Sequence, residues 1–437
     1  MANPIKTIMD IKREELPLSL LMFSYFFLVI TSFWILKPLK KTLFIRYYDA
    51  AGFTLFSSHM KAAQAELFAK VLNMVVAFLA VVVFTWLARN FRRQKLSYIF
   101  CVFFMGGYVI YSFLVNTPED ITVWTFYLYG DLFNSLMLAT FFAFLNDSVT
   151  AEKAKRIYGL IVLGGVAGGV FGTTSLRIWI EQFSVAGWMW ICFGIAVFIF
   201  LIAMAAGKIV NRNPPPELAD EKSEEPEAKT KNPAIEGAKL VFRSRYLLSI
   251  VAIVGLYEIT SQVFDFQFTA TISHYLDGKA IGKQISTAYT IQNWVSMFVQ
   301  IFLTGFIMTR FGVKTALIFL PITILLGSAG FLAMPILWVG SLLPTLDNSF
   351  NYSINQSSKE ALYVPTTRDE KYKAKAFIDM FVQRFAKVLA VVVSLVITSI
   401  FVEFSSIRWL SVFTIGIVIV WLFAVRYAGN KFAEKTG

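Results

Sequence analysis

Long apolar stretches recur along the whole chain, and they restrict its fold more than any other feature. A helix that crosses the hydrocarbon core of a bilayer needs about 20 apolar residues, because every backbone polar group must be hydrogen-bonded within the membrane. Hydrophobic residues make up 57% of the 437 residues and charged residues only 16%, whereas soluble domains carry about 25% charged residues. We therefore predict an all-α polytopic membrane protein.

Windows of about 19 residues predict twelve transmembrane helices, arranged as two six-helix bundles. The predicted spans cover residues 17–36, 66–87, 97–115, 122–145, 157–178, 186–207, 246–271, 286–308, 315–333, 335–355, 377–401 and 408–426. Residues 211–236 include three consecutive prolines and many charged side chains, as is typical of a solvated linker. The predicted domains are an N-terminal bundle at 1–208, a cytoplasmic linker at 209–240 and a C-terminal bundle at 241–437.

The distribution of Lys and Arg predicts the orientation, because basic loops stay on the cytoplasmic side of a membrane. The formal net charge is +12, and basic clusters lie at 89–95, 153–156, 310–314 and 371–375, all on one side of the predicted spans. We expect a multi-pass protein of a bacterial inner (plasma) membrane, with both termini and the linker in the cytoplasm. One basic cluster, Lys37 to Arg46, lies at the opposite end of the first span and departs from this rule.

Several activities are excluded by the arrangement of the cysteines, histidines and glycines. Cys101 and Cys192 lie in apolar runs, and His59 and His274 form no HExxH motif, so we expect no disulfide, no metal and no cofactor. The glycine-rich fifth span lacks the lysine of a phosphate-binding Walker loop and is instead typical of close helix packing. We predict a monomer that is not an enzyme and binds no nucleic acid.

Polar side chains inside the spans are the candidate functional residues, because an ionisable group there costs at least about 2.5–3.5 kcal/mol. Glu258, Gln262 and Asp265 are spaced i, i+4, i+7 on the seventh span, which places them on one helical face. Similar stripes comprise Tyr127, Asp131 and Asn134 on the fourth span, Asp347, Asn351 and Asn355 on the tenth, and Asp379, Gln383, Arg384 and Lys387 on the eleventh. Two interpretations remain open: pairs that hold helices together, or a cavity for a charged substrate.

The lysine cluster at the end of the first span comprises Lys37, Lys40 and Lys41, which are spaced i, i+3, i+4. Pro38 removes a backbone hydrogen bond and predicts a local break in this helix. Three like charges on one helical face repel one another, so a bound anion would stabilise them. The anion is either a lipid headgroup reached by snorkelling side chains or a substrate held in a cavity. We favour the substrate, because the cluster departs from the orientation rule.

A short loop motif links the chain to a known fold. Residues Gly305 to Lys314 resemble the loop signature of the major facilitator superfamily, and Ala88 to Arg93 is a weaker counterpart in the first half. Together with two sets of six spans and a hydrophilic linker, this resemblance implies a major facilitator-like fold. Its substrate site is then expected near the midplane, between the two halves.

A second resemblance covers the chain from the first span to the twelfth. The run Ser358 to Pro365, followed by Lys371, Lys373, Lys375, Asp379, Arg384 and Lys387, resembles the signature of non-mitochondrial ATP/ADP translocases. These are the nucleotide transporters of plastids and obligate intracellular bacteria. Two further matches are Lys155 to Tyr158, before the glycine-rich span, and Ile35 to Leu43 in the first span.

This second resemblance implies a twelve-span carrier that exchanges ATP for ADP or, in some members, imports nucleotides with protons. It assigns the functional first-span lysine to Lys40 and basic eleventh-span positions to Lys375 and Lys387. In the seventh span, Asp265 occupies the place of a glutamate and Gln262 that of an asparagine. The fourth-span glutamate of the family aligns with Gly130, beside Asp131, and Pro38 and Lys41 stand where the family has acidic residues.

We therefore predict a secondary active transporter that moves nucleotides, or another anionic small molecule, across a lipid bilayer by alternating access. The predicted substrate-binding residues are Lys37, Lys40, Lys41, Tyr127, Asp131, Glu258, Gln262, Asp265, Asn351, Asn355, Lys375, Asp379, Arg384 and Lys387. Two alternatives remain. One is a proton-coupled carrier of another anionic or phosphorylated solute, and the other is a non-transporting scaffold or lipid-binding protein.

Overall fold

The computed structural model describes residues 12–49, 52–55, 58–212, 233–367, 370–400 and 403–436, most of which are helical. The first part of the chain contains α1 (Leu16–Tyr48), the antiparallel strands β1 (Phe53–Leu55) and β2 (Ser58–Met60), α2 (Ala62–Asn90), α3 (Arg93–Leu114), α4 (Asp120–Ser148), α5 (Ala151–Trp179) and α6 (Val185–Arg212). The short hairpin was not predicted from the sequence.

The second part begins with α7 (Pro233–Arg243), α8 (Arg245–Tyr275) and α9 (Lys279–Phe298), and a π-helical turn (Val299–Leu303) joins α9 to α10 (Thr304–Arg310). Then come α11 (Gly312–Ala333), α12 (Leu337–Phe350), a π-helical turn (Asn351–Asn355) and α13 (Gln356–Ala361). The last elements are a π-helical turn (Glu370–Ala374), α14 (Lys375–Phe377), a π-helical turn (Ile378–Val382), α15 (Gln383–Ile400), a 3₁₀ turn (Phe404–Arg408) and α16 (Trp409–Thr436).

The prediction of an all-α polytopic membrane protein is confirmed. Within the described ranges, nine helical segments are long and apolar enough to cross a membrane. One of them, Lys279–Ala333, is 55 residues long and contains the predicted eighth and ninth spans. It changes direction at Gly312, whose φ of 78° favours glycine. Of the predicted linker at 209–240, residues 213–232 lie outside the described residues.

The chain divides into two compact units. Unit 1 comprises the described residues of Met1–Ala51, Leu72–Glu227 and Gly278–Thr290, and unit 2 those of Gly52–Val71, Ala228–Asp277 and Ile291–Gly437. In unit 1, α1 packs against α4, α5 and α6; in unit 2, α8 packs against α12, α15 and α16. α1 and α8 each therefore contact at least three other helices of their own unit.

Glycines of α5 allow α1 to approach closely. A Cβ atom added at Gly172 would lie 2.7 Å from the backbone oxygen of Thr31, closer than any stable contact. One turn earlier, the hydroxyl of Thr31 donates a hydrogen bond to the carbonyl of Gly168 over 3.2 Å. The glycine-rich span therefore packs one helix against another, which is the interpretation that its sequence favoured.

Replacing Gly172 with alanine is expected to destabilise unit 1 by about 1–3 kcal/mol, because a backbone atom of α1 must move to accommodate the methyl group. The matched control is Gly194→Ala on α6, where an added Cβ meets no atom within 4 Å. This control should keep or slightly raise the thermal unfolding midpoint, since alanine favours a helix over glycine. Equal midpoints for the two variants in detergent would contradict the packing role of Gly172.

A buried ion pair fixes the beginning of α1. The Arg156 guanidinium donates to both carboxylate oxygens of Glu15, over 2.6 Å from Nη2 and 3.2 Å from Nε. These hydrogen bonds are the main reason why the pKa of Glu15 lies below its ordinary value of 4.5. Since the folded protein favours the ionised carboxylate, the pair stabilises the fold at higher pH and loses this contribution as the pH falls below 4.5.

The variant Glu15→Gln should therefore lower the free energy of unfolding at neutral pH by about 1–2 kcal/mol, as expected for a charge-assisted pair. Its thermal unfolding midpoint should fall accordingly. The difference in stability from the unmodified protein should shrink as the buffer is made more acidic, because the protonated Glu15 side chain is then neutral, as the glutamine of the variant is at every pH. Glu14→Gln is the matched control, since Glu14 is the adjacent exposed glutamate. A gap that persists unchanged in acid would show that the carboxylate charge of Glu15 has no role.

Candidate functional site

The lysines of the first span lie inside α1 and not beyond its end. The helix continues through Pro38 to Tyr48 without interruption, so the predicted break at Pro38 is wrong. Packing of α1 against three helices compensates for the missing backbone hydrogen bond. Lys40 is 5% exposed and Lys41 is 3% exposed. Burial of this kind is unlike the exposed ammonium groups that snorkelling to lipid headgroups requires.

Lys40 is held by a carboxylate and an aromatic ring of α4. Its ammonium group forms an ion pair with Asp131 and lies 4.1 Å from the ring centroid of Tyr127. A Cβ atom at Gly130 would lie only 2.8 Å from Cδ of Lys40, so the glycine leaves room for the lysine stem. The acidic residue that contacts Lys40 is therefore Asp131, the neighbour of the aligned position Gly130.

Lys37 has a different environment from Lys40. Its ammonium group lies 4.7 Å from the ring of Trp34 and 5.0 Å from the ring of Tyr289, a residue of α9 within unit 1. Cation–π contacts stabilise a charge that has left bulk water. The Asp131 carboxylate beside Lys40 and the aromatic rings around Lys37 therefore offset the repulsion predicted between the two lysines.

In unit 2, two of the predicted carboxylates contact lysines. Glu258 of α8 lies 3.5 Å from the ammonium group of Lys387 on α15, and Asp265 of α8 forms an ion pair with Lys70 on α2. The side chain of Lys387 is 36% exposed and that of Glu258 is 11% exposed. The stripe predicted on the seventh span therefore carries two ion pairs to two different helices.

The sequence analysis missed Lys70 and its neighbour Glu66. Glu66 is buried and accepts a hydrogen bond of 2.7 Å from the hydroxyl of Thr269. A signal was present, because Glu66 and Lys70 are spaced i, i+4 at the beginning of an apolar span. The rule that ionisable residues within spans mark functional sites would have included both residues.

A further carboxylate, Asp347 of α12, lies against α8. One of its oxygens accepts a hydrogen bond of 2.6 Å from the hydroxyl of Ser261. The other oxygen is buried and has no hydrogen-bond partner in the described part of the chain. Further along the same stripe, the amide of Asn355 donates to Asn351 over 2.9 Å. The third predicted polar residue of α8, Gln262, is half-buried.

The remaining predicted residues follow the π-helical turn at Glu370–Ala374. Lys375 forms an ion pair of 2.5 Å with Glu360 and lies 5.6 Å from the ring of Tyr363. Asp379 lies in the electrostatic field of Lys375 and Lys359. Arg384 is half-buried on α15, three residues before Lys387.

The structure thus groups the predicted residues within each unit. In unit 1 it brings together Lys40, Tyr127 and Asp131, with Lys37 on neighbouring aromatic rings. In unit 2 it brings together Glu258 and Lys387, and separately Asp265 and Lys70. Each unit therefore holds a lysine whose partner is a carboxylate, and a phosphate oxygen offers the same charge-assisted hydrogen bonds as that carboxylate.

Two family models match the chain. The family model of the Major Facilitator Superfamily matches residues 132–358, which is more than half of the chain. The chain belongs to the Major Facilitator Superfamily. A second family model, described as TLC ATP/ADP transporter, matches residues 333–432. The chain is a member of a transporter family and not an enzyme.

Relatives with similar sequences are carriers. The chain is 26% identical to ADP,ATP carrier protein 1 of Chlamydia muridarum, over 94% of this chain and 88% of the relative. It is 22% identical to the plastidic ATP/ADP-transporter of Solanum tuberosum, over 94% of this chain and 72% of the relative. The resemblance to ATP/ADP translocases that the sequence motifs predicted is confirmed by these matches.

Solved structures support the fold. The nucleoside transporter NupG matches 95% of this chain and 99% of its own, with a TM-score of 0.64 at 12% identity. A bacterial homolog of the human lysosomal transporter Spinster matches 97% of this chain and 99% of its own, with a TM-score of 0.60 at 12% identity. The predicted major facilitator-like fold is confirmed by these matches and by the family model.

Proposed function

We propose that this Major Facilitator protein is a secondary transporter that exchanges nucleotides, ATP for ADP, by alternating access. The observation that carries the proposal is the buried lysine pair, Lys40 and Lys41, on a helix at the centre of unit 1. Asp131 already compensates the charge of Lys40, and an anionic substrate can take the place of that carboxylate. The similarity to ADP,ATP carriers along 94% of the chain suggests which anion this is.

In the mechanism that we propose, substrate phosphates compete with the protein's own carboxylates. Asp131 compensates Lys40, and Glu258 compensates Lys387. A phosphate oxygen replaces the carboxylate as the partner of the ammonium group when the nucleotide binds. Each lysine is then compensated in both states, so the bound and the empty protein are close enough in free energy for rapid exchange. Arg384 and Lys375 add cations in unit 2.

The full topology is part of this proposal. It comprises twelve spans, six in an N-terminal bundle at 1–208 and six in a C-terminal bundle at 241–437, joined by a linker at 209–240. The positive charge of the short loops supports cytoplasmic termini. Bacterial carriers among the relatives support a place in a bacterial inner membrane, and we propose that the protein acts there as a monomer.

Exchange is tested with purified protein in liposomes that contain ADP and are diluted into labelled ATP. We expect rapid uptake that is chased by unlabelled ATP or ADP and is much slower in liposomes that contain no nucleotide. Liposomes filled with adenosine provide the matched control, because adenosine lacks the phosphates. Uptake equal to that of protein-free liposomes under all these conditions would reject nucleotide exchange.

A further inference from the structure

Three carboxylates of unit 2 lie near one another, and they differ in their partners. Glu258 contacts Lys387 and Asp265 contacts Lys70, so each of these two carboxylates has a cation beside it. Asp347 is only 2% exposed, and the hydrogen-bond partner of its one bonded oxygen is the neutral hydroxyl of Ser261. Its second oxygen has no partner among the described residues. Asp347 therefore differs from the other two carboxylates in lacking a compensating charge.

The surroundings of Asp347 make an isolated negative charge costly. The titratable groups that face it are Tyr257, Glu258 and Asp265 on α8 and Tyr352 on the helical turn that follows α12. Glu258 and Asp265 are acids and the two tyrosines carry no positive charge, so none of the four supplies a compensating cation; the Tyr257 hydroxyl lies near enough to add a neutral hydrogen bond. A buried charge without a partner costs far more than a buried neutral group, and such a group is neutralised instead.

Among the described residues of α11 and α9, no Lys or Arg contributes to the electrostatic environment of Asp347. The only charged residue of α11 is Lys314, near its first turn, and its ammonium group contacts Asn430 of α16 over 2.7 Å. The segment of α9 that contacts α12 does so at Gln292, whose carbonyl accepts a hydrogen bond of 3.0 Å from Ser349. That segment, residues 291–298, contains no charged side chain.

We propose that the carboxyl group of Asp347 is a proton-binding site that couples transport to the proton gradient. A proton from water adds to a carboxylate oxygen of Asp347, and the resulting neutral acid donates a hydrogen bond to the hydroxyl of Ser261. The proton returns to water when the carboxyl group is exposed on the other side of the membrane. The coupling to transport rests on the proposed function, whereas binding of a proton by Asp347 does not depend on that function.

Coupling follows because Glu258 interacts with both Lys387 and Asp347. When a phosphate replaces Glu258 as the partner of Lys387, the Glu258 carboxylate loses its compensating cation. The added negative charge near Asp347 favours binding of the proton there. Substrate and proton therefore assist each other's binding, and this linkage is reciprocal. Transport of an anion together with a proton is the expected outcome.

Infrared difference spectroscopy of the purified protein in lipid tests the proton site directly. We expect a C=O stretch of a buried carboxylic acid that disappears as the buffer is made alkaline and that is absent from Asp347→Asn. Asp379→Asn is the matched control and should keep the band. If Asp347→Asn does not fold, Ser261→Ala should shift the band, because it removes the hydrogen-bond partner at 2.6 Å. A spectrum in which neither variant changes the band would overturn the proposal.

Transport measurements test the coupling separately. In ADP-free liposomes with an alkaline interior, ATP uptake should exceed the uptake measured without a pH gradient. One proton per transport cycle can support about tenfold accumulation of the substrate per pH unit. Asp347→Asn should keep ATP/ADP exchange but lose the response to the gradient. Exchange that is insensitive to the gradient in the unmodified protein would overturn coupling and leave nucleotide exchange intact. Absence of exchange in every preparation would instead reject the proposed function, and the infrared result would still decide the proton site.

Discussion

Replacing Lys40 with alanine is expected to reduce ATP uptake by about 100-fold or more. The variant loses a charge-assisted hydrogen bond to the substrate and leaves the Asp131 carboxylate without its cation. Removal of one partner from a desolvated charge pair typically costs about 2–5 kcal/mol, and each 1.4 kcal/mol is tenfold in affinity. The effect should appear as a raised KM for ATP, a lowered maximal rate, or both, in liposomes that contain ADP.

Two comparisons separate binding from folding in this prediction. Lys283→Ala breaks an exposed ion pair of 3.0 Å with Glu181 in the same unit and should leave uptake nearly unchanged. The double variant Lys40→Ala with Asp131→Asn removes both charges, so its unfolding midpoint should recover while its uptake stays low. Recovery of uptake in the double variant would contradict a role of Lys40 in binding the substrate.

Replacing Lys387 with alanine is expected to raise the KM for ATP by about 10-fold to 100-fold. The upper limit corresponds to about 3 kcal/mol for a hydrogen bond to a charged group. We expect an effect below that of Lys40, because the side chain of Lys387 is 36% exposed and water partly replaces the lost contact. Initial uptake rates over a range of ATP concentrations provide the measurement.

The matched control for Lys387 is Lys431→Ala. Lys431 forms an exposed ion pair of 2.5 Å with Glu434 on α16, in the same unit, and its loss should not change the KM. Exchange of the two charges, Lys387→Glu with Glu258→Lys, should restore the ion pair and the unfolding midpoint but not the KM. An unchanged KM in Lys387→Ala would show that this lysine serves only to hold α15 against α8.

The sequence predicted candidate functional residues on the central helices, but not the partners that those residues contact. Lys40 and Glu258 could be selected because a charge within an apolar span is costly. Helical periodicity also placed Glu258 and Asp265 on one face, and both use that face for ion pairs. Which helix supplies each lysine depends on tertiary packing between segments far apart in the chain. For that reason Lys70, the partner of Asp265, could not be assigned from spacing alone.

Two features of α1 show why local rules failed there. Proline usually interrupts a helix, but α1 continues through Pro38 because neighbouring helices hold it in place. Hydropathy windows ended the first span near residue 36, since they count Lys40 and Lys41 as polar. Both lysines are buried against protein, and a window average does not distinguish a compensated charge from one that faces water.

The central claim is that buried cations in this protein bind the phosphates of its substrate. The most direct test is thermal unfolding of the purified protein with adenosine, AMP, ADP and ATP, because a ligand that binds only the folded state stabilises it by about 2.7 kcal/mol at 100 times its Kd. We predict a midpoint that rises with the number of phosphates and loses this dependence in the double variant of Lys40 and Asp131. Equal stabilisation by adenosine and ATP, or a full ATP response in the double variant, would contradict the claim.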